Sequence, residues 1–420
     1  MPEHFDKPAI NTPALGDSIG TALTPNATRV MLLGAGELGK EIAGAFQNLG
    51  LEVHAVERYH GAPAHQVAQF AHVADINDEE AVWALAQEIR PDVVVPEVEM
   101  VSVPALNRLE ESGFCTVVPT ARACADTWNR ASIRQIAESI GLPGTAYKFA
   151  TSAEELGEAA AQLGFPCIVK SDAATSGRGH VVVHGPEEIA ECWANVHRVS
   201  TDKRHVVVER FVDFDHEVTL LAVRSVDPAT GCLATWFSEP IGHRHEGGDL
   251  AESWQPLAIS EQALENARSV AARISNELGG RGVYCVELFV SGDDVYFSAV
   301  SPRPSDAAML TLRTQRFSEF DLHARAILGY PIDVTLTSPG AAVVLHAERD
   351  MKEVVVSGVR EALSFPETDV RVFGKPGAYA GRRLGLVVAT ADTADLAREN
   401  ASLAARAITL SDGGPRKWRT

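Results

Sequence analysis

Lys170 closes an apolar run, CIVK, and a glycine-rich stretch, Ser176-Gly177-Arg178-Gly179-His180, follows shortly after. A lysine at a strand end beside such a loop can hold polyphosphate, because backbone N–H groups and cationic side chains close over its oxygens. No GxxxxGK[ST] is present, so this is not a Walker loop; the competing reading is a surface hairpin carrying a basic residue. A second apolar run, Val206 to Val208, leads into Glu209-Arg210-Phe211-Val212. Backbone groups at such a strand end can bond an adenine edge, and a nearby carboxylate such as Glu217 can take ribose hydroxyls. A solvated edge reads the same residues. Glu287 interrupts GVYCVELFV, where a buried carboxylate calls for a partner. Magnesium with phosphate oxygens would supply one, a structural salt bridge another. Lys375, Arg382 and Arg383 form a basic cluster with little acid beside it in an otherwise acidic chain. Arginine forks match phosphate, so the cluster reads as a phosphate site or a solvated face.

The elements that must carry these residues are legible. RVMLLGAGELGKEIAGAFQNLGLEVHAVERY is a strand, a GxGxxG turn over Gly34 to Gly39, an amphipathic helix and a second strand ending at Glu57. The turn suits a phosphate or another ligand at a helix N-terminus, and with Glu57 a nicotinamide dinucleotide is one alternative. PDVVVPEVEM adds a strand stopping at Pro96-Glu97, and TVVPT a shorter one. NRASIRQIAESIGLP predicts a helix ended by Gly141 and Pro143. GVYCVELFV and DDVYFSAVSPRP predict a hairpin with its tip near Gly292-Asp293. Alternation puts Phe297, Ala299, Ser301 and Arg303 on one face, with residue 299 opposite Glu287. The chain divides into a polar tail (1–27), a nucleotide-fold-like domain (28–120), a central segment (121–335) and a small β-rich C-terminal domain (336–420). The fold class is α/β.

Bulk properties narrow the function. At 420 residues the chain needs more than one core. A formal net charge of -19 argues against nucleic acid as a partner. No run of apolar residues is long enough for a membrane span, and the polar start, MPEHFDKPAINTP, shows no secretory signal. The six cysteines include no CxxC pair, consistent with small buried hydrophobes in a reducing cytoplasm.

Taken in order, TRVMLLGAGELGKE, VVPEVE, GHRHEGGDLAESWQP, GVYCVELF, SPRP and FGKPGAYAGRRLG resemble the formate-dependent phosphoribosylglycinamide formyltransferase family of ATP-grasp enzymes. The resemblance implies an N-terminal doubly wound pre-ATP-grasp domain, a two-lobed α+β ATP-grasp domain and the small C-terminal domain. It also implies a cytoplasmic homodimer acting in purine biosynthesis. ATP would phosphorylate formate, and the amine of glycinamide ribonucleotide would attack the formyl phosphate. The family pattern assigns ATP to Arg130, Lys170, Thr175, Ser176, Gly177, Arg178, Gly179, His180, Glu209, Arg210, Phe211, Val212 and Glu217. It assigns glycinamide ribonucleotide to Glu37, Leu38, Glu97, Asp306, Lys375, Arg382 and Arg383, and Mg2+ to Glu287. Lys170, Glu287 and Asp306 are the implied catalytic residues. This chain departs from the pattern at Ala299, where the family has a metal-binding glutamate, and at Ser305-Asp306-Ala307-Ala308, where it has HDTG. It departs again at Ser171 and in the SGRGH loop. A ligase for another acid and amine, or a nucleotide binder with little catalysis, are therefore the alternative functions.

Overall fold

The structure is a computed structural model that describes residues 18–171, 180–199 and 205–413. Strands β1 (Arg29–Leu33), β2 (Glu52–Glu57), β3 (Phe70–Val73), β4 (Val93–Pro96) and β5 (Thr116–Val117) form a parallel sheet in the order β3-β2-β1-β4-β5. The runs 30–33 of β1 and Val93–Pro96 of β4 at its centre are apolar because both faces are covered. Ile42 and Phe46 of the Glu37–Asn48 helix pack on one face; Val82, Ala86, Leu106 and Leu109 pack on the other. Strand order reverses between β1 and β4, which opens a crevice at their C-terminal ends. Glu37 and Glu97 follow those two ends.

A smaller antiparallel sheet runs β6-β9-β7-β8, from β6 (Tyr147–Ala150), β7 (Cys167–Ser171), β8 (His180–Val183) and β9 (Val206–Arg210). The remaining strands are β10 (His216–Val226), β11 (Leu233–Phe237), β12 (Ile241–Glu246), β13 (Asp249–Gln255), β14 (Gly282–Ser291), β15 (Asp294–Ser301), β16 (Gly340–His346), β17 (Val354–Ser357), β18 (Thr368–Val372), β19 (Arg383–Thr390) and β20 (Thr409–Asp412). All but β17 and β20, which pair with each other, join one sheet ordered β15-β14-β10-β12-β13-β16-β19-β18, with β11 beside β10. The C-terminal strands thus continue the central sheet through the β13–β16 ladder. The core under this sheet is shared: Phe320, Leu322 and Ile327 of the Glu319–Leu328 helix belong to one apolar cluster with Ile42, Phe46, Leu221 and Val388. No helix among the described residues is long and apolar enough to cross a membrane.

Local rules explain the placement of the charged residues. Asn129 caps the Arg130–Ser139 helix by accepting from the Ser132 amide at 2.6 Å. That cap fixes Arg130 in the first turn and Arg134 one turn on, along the same face. The β14–β15 hairpin turns at Gly292 (φ 57) and Asp293, and Glu287 pairs with Ala299. A bulge between Glu287 and Leu288 changes the rest of that face. Phe297 pairs with Leu288 and is fully buried in the opposite core, so it does not share a face with Ala299 as simple alternation requires. Glu287 itself is exposed rather than buried. Alternation identifies its face, but nothing in the local pattern says whether that face is covered.

Gly34 holds φ at +114, and a Cβ there would lie 2.9 Å from Glu97 Oε2 and 2.8 Å from Val98 Cγ1. Its first role is to seat β1 against the Glu97 loop. Gly34→Ala is expected to cost about 1–3 kcal/mol, from the strained backbone alone. A urea midpoint equal to that of the unaltered chain would show that the loop yields without strain.

Candidate functional site

A cavity of about 620 Å3 lies between the smaller sheet, the large sheet and the crevice of the parallel sheet. Lys170, Arg130, Glu217, Glu287, Arg303 and Asp306 all reach its wall. A second depression, lined by Trp236, Glu239 and Asp333 among others, has no basic residue on its wall and does not suit a phosphate.

On the smaller sheet β7 and β9 are paired, which sets Lys170 and Glu209 on one face. Lys170 Nζ lies 2.7 Å from Glu209 Oε2, and Arg134 Nη2 lies 2.7 Å from Oε1. Arg134 also donates to the Phe297 carbonyl at 2.9 Å, tying this sheet to the β14–β15 hairpin. All three side chains are at most 5% exposed. Burial opposes the charge on Glu209, but Lys170 and Arg134 outweigh it and hold the carboxyl down at about 2. Burial lowers the Lys170 ammonium, against the pull of Glu209. Arg210 and Phe211 are exposed and Val212 half-buried at the end of β9. Thr175, Ser176, Gly177, Arg178 and Gly179 lie outside the described residues; the His180 backbone pairs with that of Lys170.

On the large sheet, Glu217 pairs across to His243, and its Oε2 lies 2.9 Å from His245 Nδ1. Glu287 and Ala299 face each other on the next ladders and both line the cavity.

At and behind Asp306, on the far side of the cavity, residues from three distant parts of the chain meet. Lys375 Nζ lies 2.8 Å from Glu37 Oε1, Arg383 Nη2 lies 3.2 Å from the same oxygen, and Arg383 Nη1 pairs with Asp306. The cationic cluster therefore has acids against it, contrary to its isolation in the sequence. Folding brings Glu37 and Asp306 to it from outside its own segment. Arg382 donates to the Gly377 carbonyl at 2.6 Å and lies 3.5 Å from the Tyr59 hydroxyl, apart from that pairing. Burial opposes ionisation of Glu37, but Lys375 and Arg383 keep its carboxyl below the ordinary value. Glu97 is buried, and desolvation pushes its carboxyl well above the usual range. Leu38 lines the cavity beside it. Glu57 accepts from the Ala35 amide at 3.3 Å and the Arg58 amide at 2.9 Å. The acid that a dinucleotide site would turn toward ribose is thus spent on the glycine-rich turn.

Sequence reasoning missed five participants. Arg134 sits one helical turn from Arg130, a spacing that signals a shared face. Arg303 donates to the Glu97 carbonyl at 2.8 Å and pairs with Glu99, locking the loop after β4 to the end of β15. Buried Glu319 accepts from the Ser305 amide at 2.9 Å, which positions the chain before Asp306. His243 and His245 lie on a strand whose polar alternation hid it.

Removing the Glu209 charge strands two buried cations. Glu209→Gln is expected to cost about 3–5 kcal/mol at neutral pH. The Glu209 carboxyl falls on folding from an ordinary 4.5 to about 2, so its contribution is complete above pH 4.5 and is lost as pH falls toward 2. Denaturant unfolding at stepped pH should show the two proteins converging as pH falls through that window. A constant difference would mean that the charge of Glu209 does not stabilise the fold.

Family models match residues 27–126 (ribonucleotide synthetase preATP-grasp domain), 135–320 (ATP-grasp domain) and 340–408 (PurT, C-terminal). A formate-dependent phosphoribosylglycinamide formyltransferase of Corynebacterium efficiens is 56% identical, over 94% of this chain and 98% of that one. Its Burkholderia pseudomallei counterpart is 50% identical over the same shares. Among solved structures, glycinamide-RNase-transformylase T from Mycobacterium tuberculosis is similar, with a TM-score of 0.77, 39% identity and coverage of 91% of this chain and 100% of that one. An ADP complex of N5-carboxyaminoimidazole ribonucleotide synthetase has a TM-score of 0.80 at 27% identity, over 90% and 96% of the two chains. With relatives this similar along nearly its whole length, the chain belongs to the formate-dependent phosphoribosylglycinamide formyltransferase family of ATP-grasp proteins.

Proposed function

We propose that this chain formylates glycinamide ribonucleotide, using ATP and formate, as a cytoplasmic homodimer in purine biosynthesis. The observation that carries the reading is that Lys170 and Asp306 line one cavity, and that behind Asp306 stand its ion-pair partner Arg383 and, through Glu37, Lys375. A polyphosphate site and a second cationic site face each other across it, as a transfer between two phosphorylated molecules requires.

In the proposed reaction a formate oxygen attacks the γ-phosphorus of ATP, and the bond to ADP breaks. The amine of glycinamide ribonucleotide then attacks the formyl carbon, phosphate leaves, and the amine gives up a proton. Lys170, Arg130 and the residues Thr175 to His180 hold the ATP phosphates. Backbone groups of Glu209, Arg210, Phe211 and Val212 meet the adenine, and Glu217 meets the ribose. Lys170 reaches phosphate by exchanging Glu209 for it. Arg382, Arg383 and Lys375 take the ribose phosphate of the acceptor; with Glu37 and Asp306 beside them, the five groups sum to one excess positive charge. Leu38 and Glu97 border the acceptor, and Asp306 stands on the amine side.

The donor set for Mg2+ is thinner than the family pattern. Glu287 is exposed to the cavity and supplies a carboxylate, while Ala299 opposite supplies no oxygen. Mg2+ commonly takes one or two carboxylates together with substrate phosphates, so Glu287 fits as a sole protein carboxylate. An ion there would supply charge neutralisation at the transferring phosphate. The missing oxygen favours slow turnover as the second reading, a nucleotide-binding protein with little catalysis.

Phosphate release should require ATP, formate and glycinamide ribonucleotide together. Release with a different acid and amine would instead mark a ligase of other specificity. Lys170→Ala should weaken ATP binding about tenfold, about 1.4 kcal/mol, by calorimetry. The Arg382→Ala, Arg383→Ala double variant should lose affinity for glycinamide ribonucleotide and keep that for ATP. Normal binding of both ligands in both variants would remove these residues from the site.

Ala299→Glu should tighten Mg2+ and raise turnover, since a lost metal ligand at a transferring phosphate can cost about 10³-fold in rate. A tighter metal without faster turnover would move the defect to Ser305, Ala307 and Ala308.

A further inference from the structure

The polar face of β12 holds chemistry that the proposed reaction does not use. His243 lies opposite Glu217 in the β10–β12 ladder, and His245 follows on the same strand. Glu217 Oε2 is 2.9 Å from His245 Nδ1 and 3.5 Å from His243 Nδ1. One ligand atom from each residue falls within 4.8 Å of the other two, and among the described residues no other trio of His, Cys, Asp or Glu does so.

His243 supplies the second observation. Its side chain is 5% exposed; Nδ1 has only the long 3.5 Å approach to Glu217, and Nε2 has no hydrogen-bond partner among the described residues. A buried polar group left in that state costs about 1–3 kcal/mol, and such groups are normally satisfied by protein, water or an ion. The cavity in front of it is where a partner would sit. The contrast with the first sheet is direct. His54 there spends one ring nitrogen on His72 and the other on Glu52, at 2.9 Å and 3.0 Å, and has none left to offer.

Two imidazoles and one carboxylate form a donor set for a borderline divalent ion such as Zn2+ or Co2+. It is the wrong set for Mg2+, which takes oxygen. Ligand atoms about 2.0–2.1 Å from a tetrahedral ion stand about 3.3 Å apart, and the two observed separations bracket that value. We propose that Glu217, His243 and His245 bind a borderline divalent transition-metal ion at the rim of the cavity. The exposed His245 leaves the ion's remaining position facing the cavity, where water or a ligand oxygen completes it. The trio shares its cavity with Glu287, whose charge also acts on His245, but its imidazole donors set it apart from the Mg2+ reading. It draws on the same Glu217 carboxylate that the ribose reading uses, so the ion belongs to the nucleotide-free protein.

The test is a Co2+ titration of the full chain, stripped of metal and free of nucleotide, followed by visible absorption. One equivalent should bind and give the intensified bands of low-coordinate Co2+, and millimolar Mg2+ should not remove them. His245→Ala, at a partly exposed position that leaves folding intact, should weaken binding about tenfold or more. His243→Asn should do the same, with unchanged circular dichroism before metal is added. A spectrum that stays that of aqueous Co2+ would overturn the proposal, as would unaltered affinity in both variants. A thiolate charge-transfer band abolished by Cys232→Ser would place the ion at that exposed cysteine and equally overturn it.

Discussion

Three charges withdrawn from water govern the nucleotide side of this molecule. Lys170, Glu209 and Arg134 come from β7, β9 and the Arg130–Ser139 helix, and the two cations keep the Glu209 carboxyl ionised against its burial. A buried ion pair gains little net stability over apolar packing, while a broken one is expensive. The trio therefore acts less as glue than as a constraint on geometry. The smaller sheet cannot shift against the hairpin without uncovering a charge, because Arg134 also holds the Phe297 carbonyl.

The cluster around Glu37 repeats this device with different parts. Glu37 comes from the turn after β1, Asp306 from the segment after β15, and Lys375 and Arg383 from the C-terminal strands. The acids fix the cations at their heads, so less side-chain freedom is lost when an anion arrives. Behind them the Glu37–Asn48 and Glu319–Leu328 helices share one apolar core, which keeps the contributing segments in register. Glu97 and Glu319 are the exceptions, since desolvation drives both carboxyls well above the usual range.

Much of this was legible wherever a charged residue interrupts an apolar run. Lys170 and Glu209 stand out for that reason, as do the GxGxxG turn and the β14–β15 hairpin with its tip at Gly292. What stayed hidden was nonlocal. No periodicity says that β16 pairs with β13, or that Glu37 and Asp306 sit against Arg383. Burial of Glu287 was inferred from its neighbours, but those neighbours cover the other face of the strand. The bulge before Leu288 reversed Phe297 because one extra residue breaks the two-residue period. β12 and β13 escaped notice because IGHRHE and DLAESWQ carry polar residues where a packed strand would be apolar, and two of them, His243 and His245, line the cavity. The histidines of the further site lie in that stretch.

The unbroken ladder from β15 to β18 also limits how a lineage of such chains can diverge. Neighbouring strands stand about 4.8 Å apart, so the spacing between Glu287 on β14 and Arg383 on β19 is counted in whole strands. Loops between those strands can lengthen or shorten without changing it. Loss of one strand would shift it by a full step and leave a row of amides unpaired. Descendants are thereby steered toward exchanging side chains on a conserved frame. Ala299, Ser305, Ala307 and Ala308, the departures that the resemblance implies, would be exchanges of that kind.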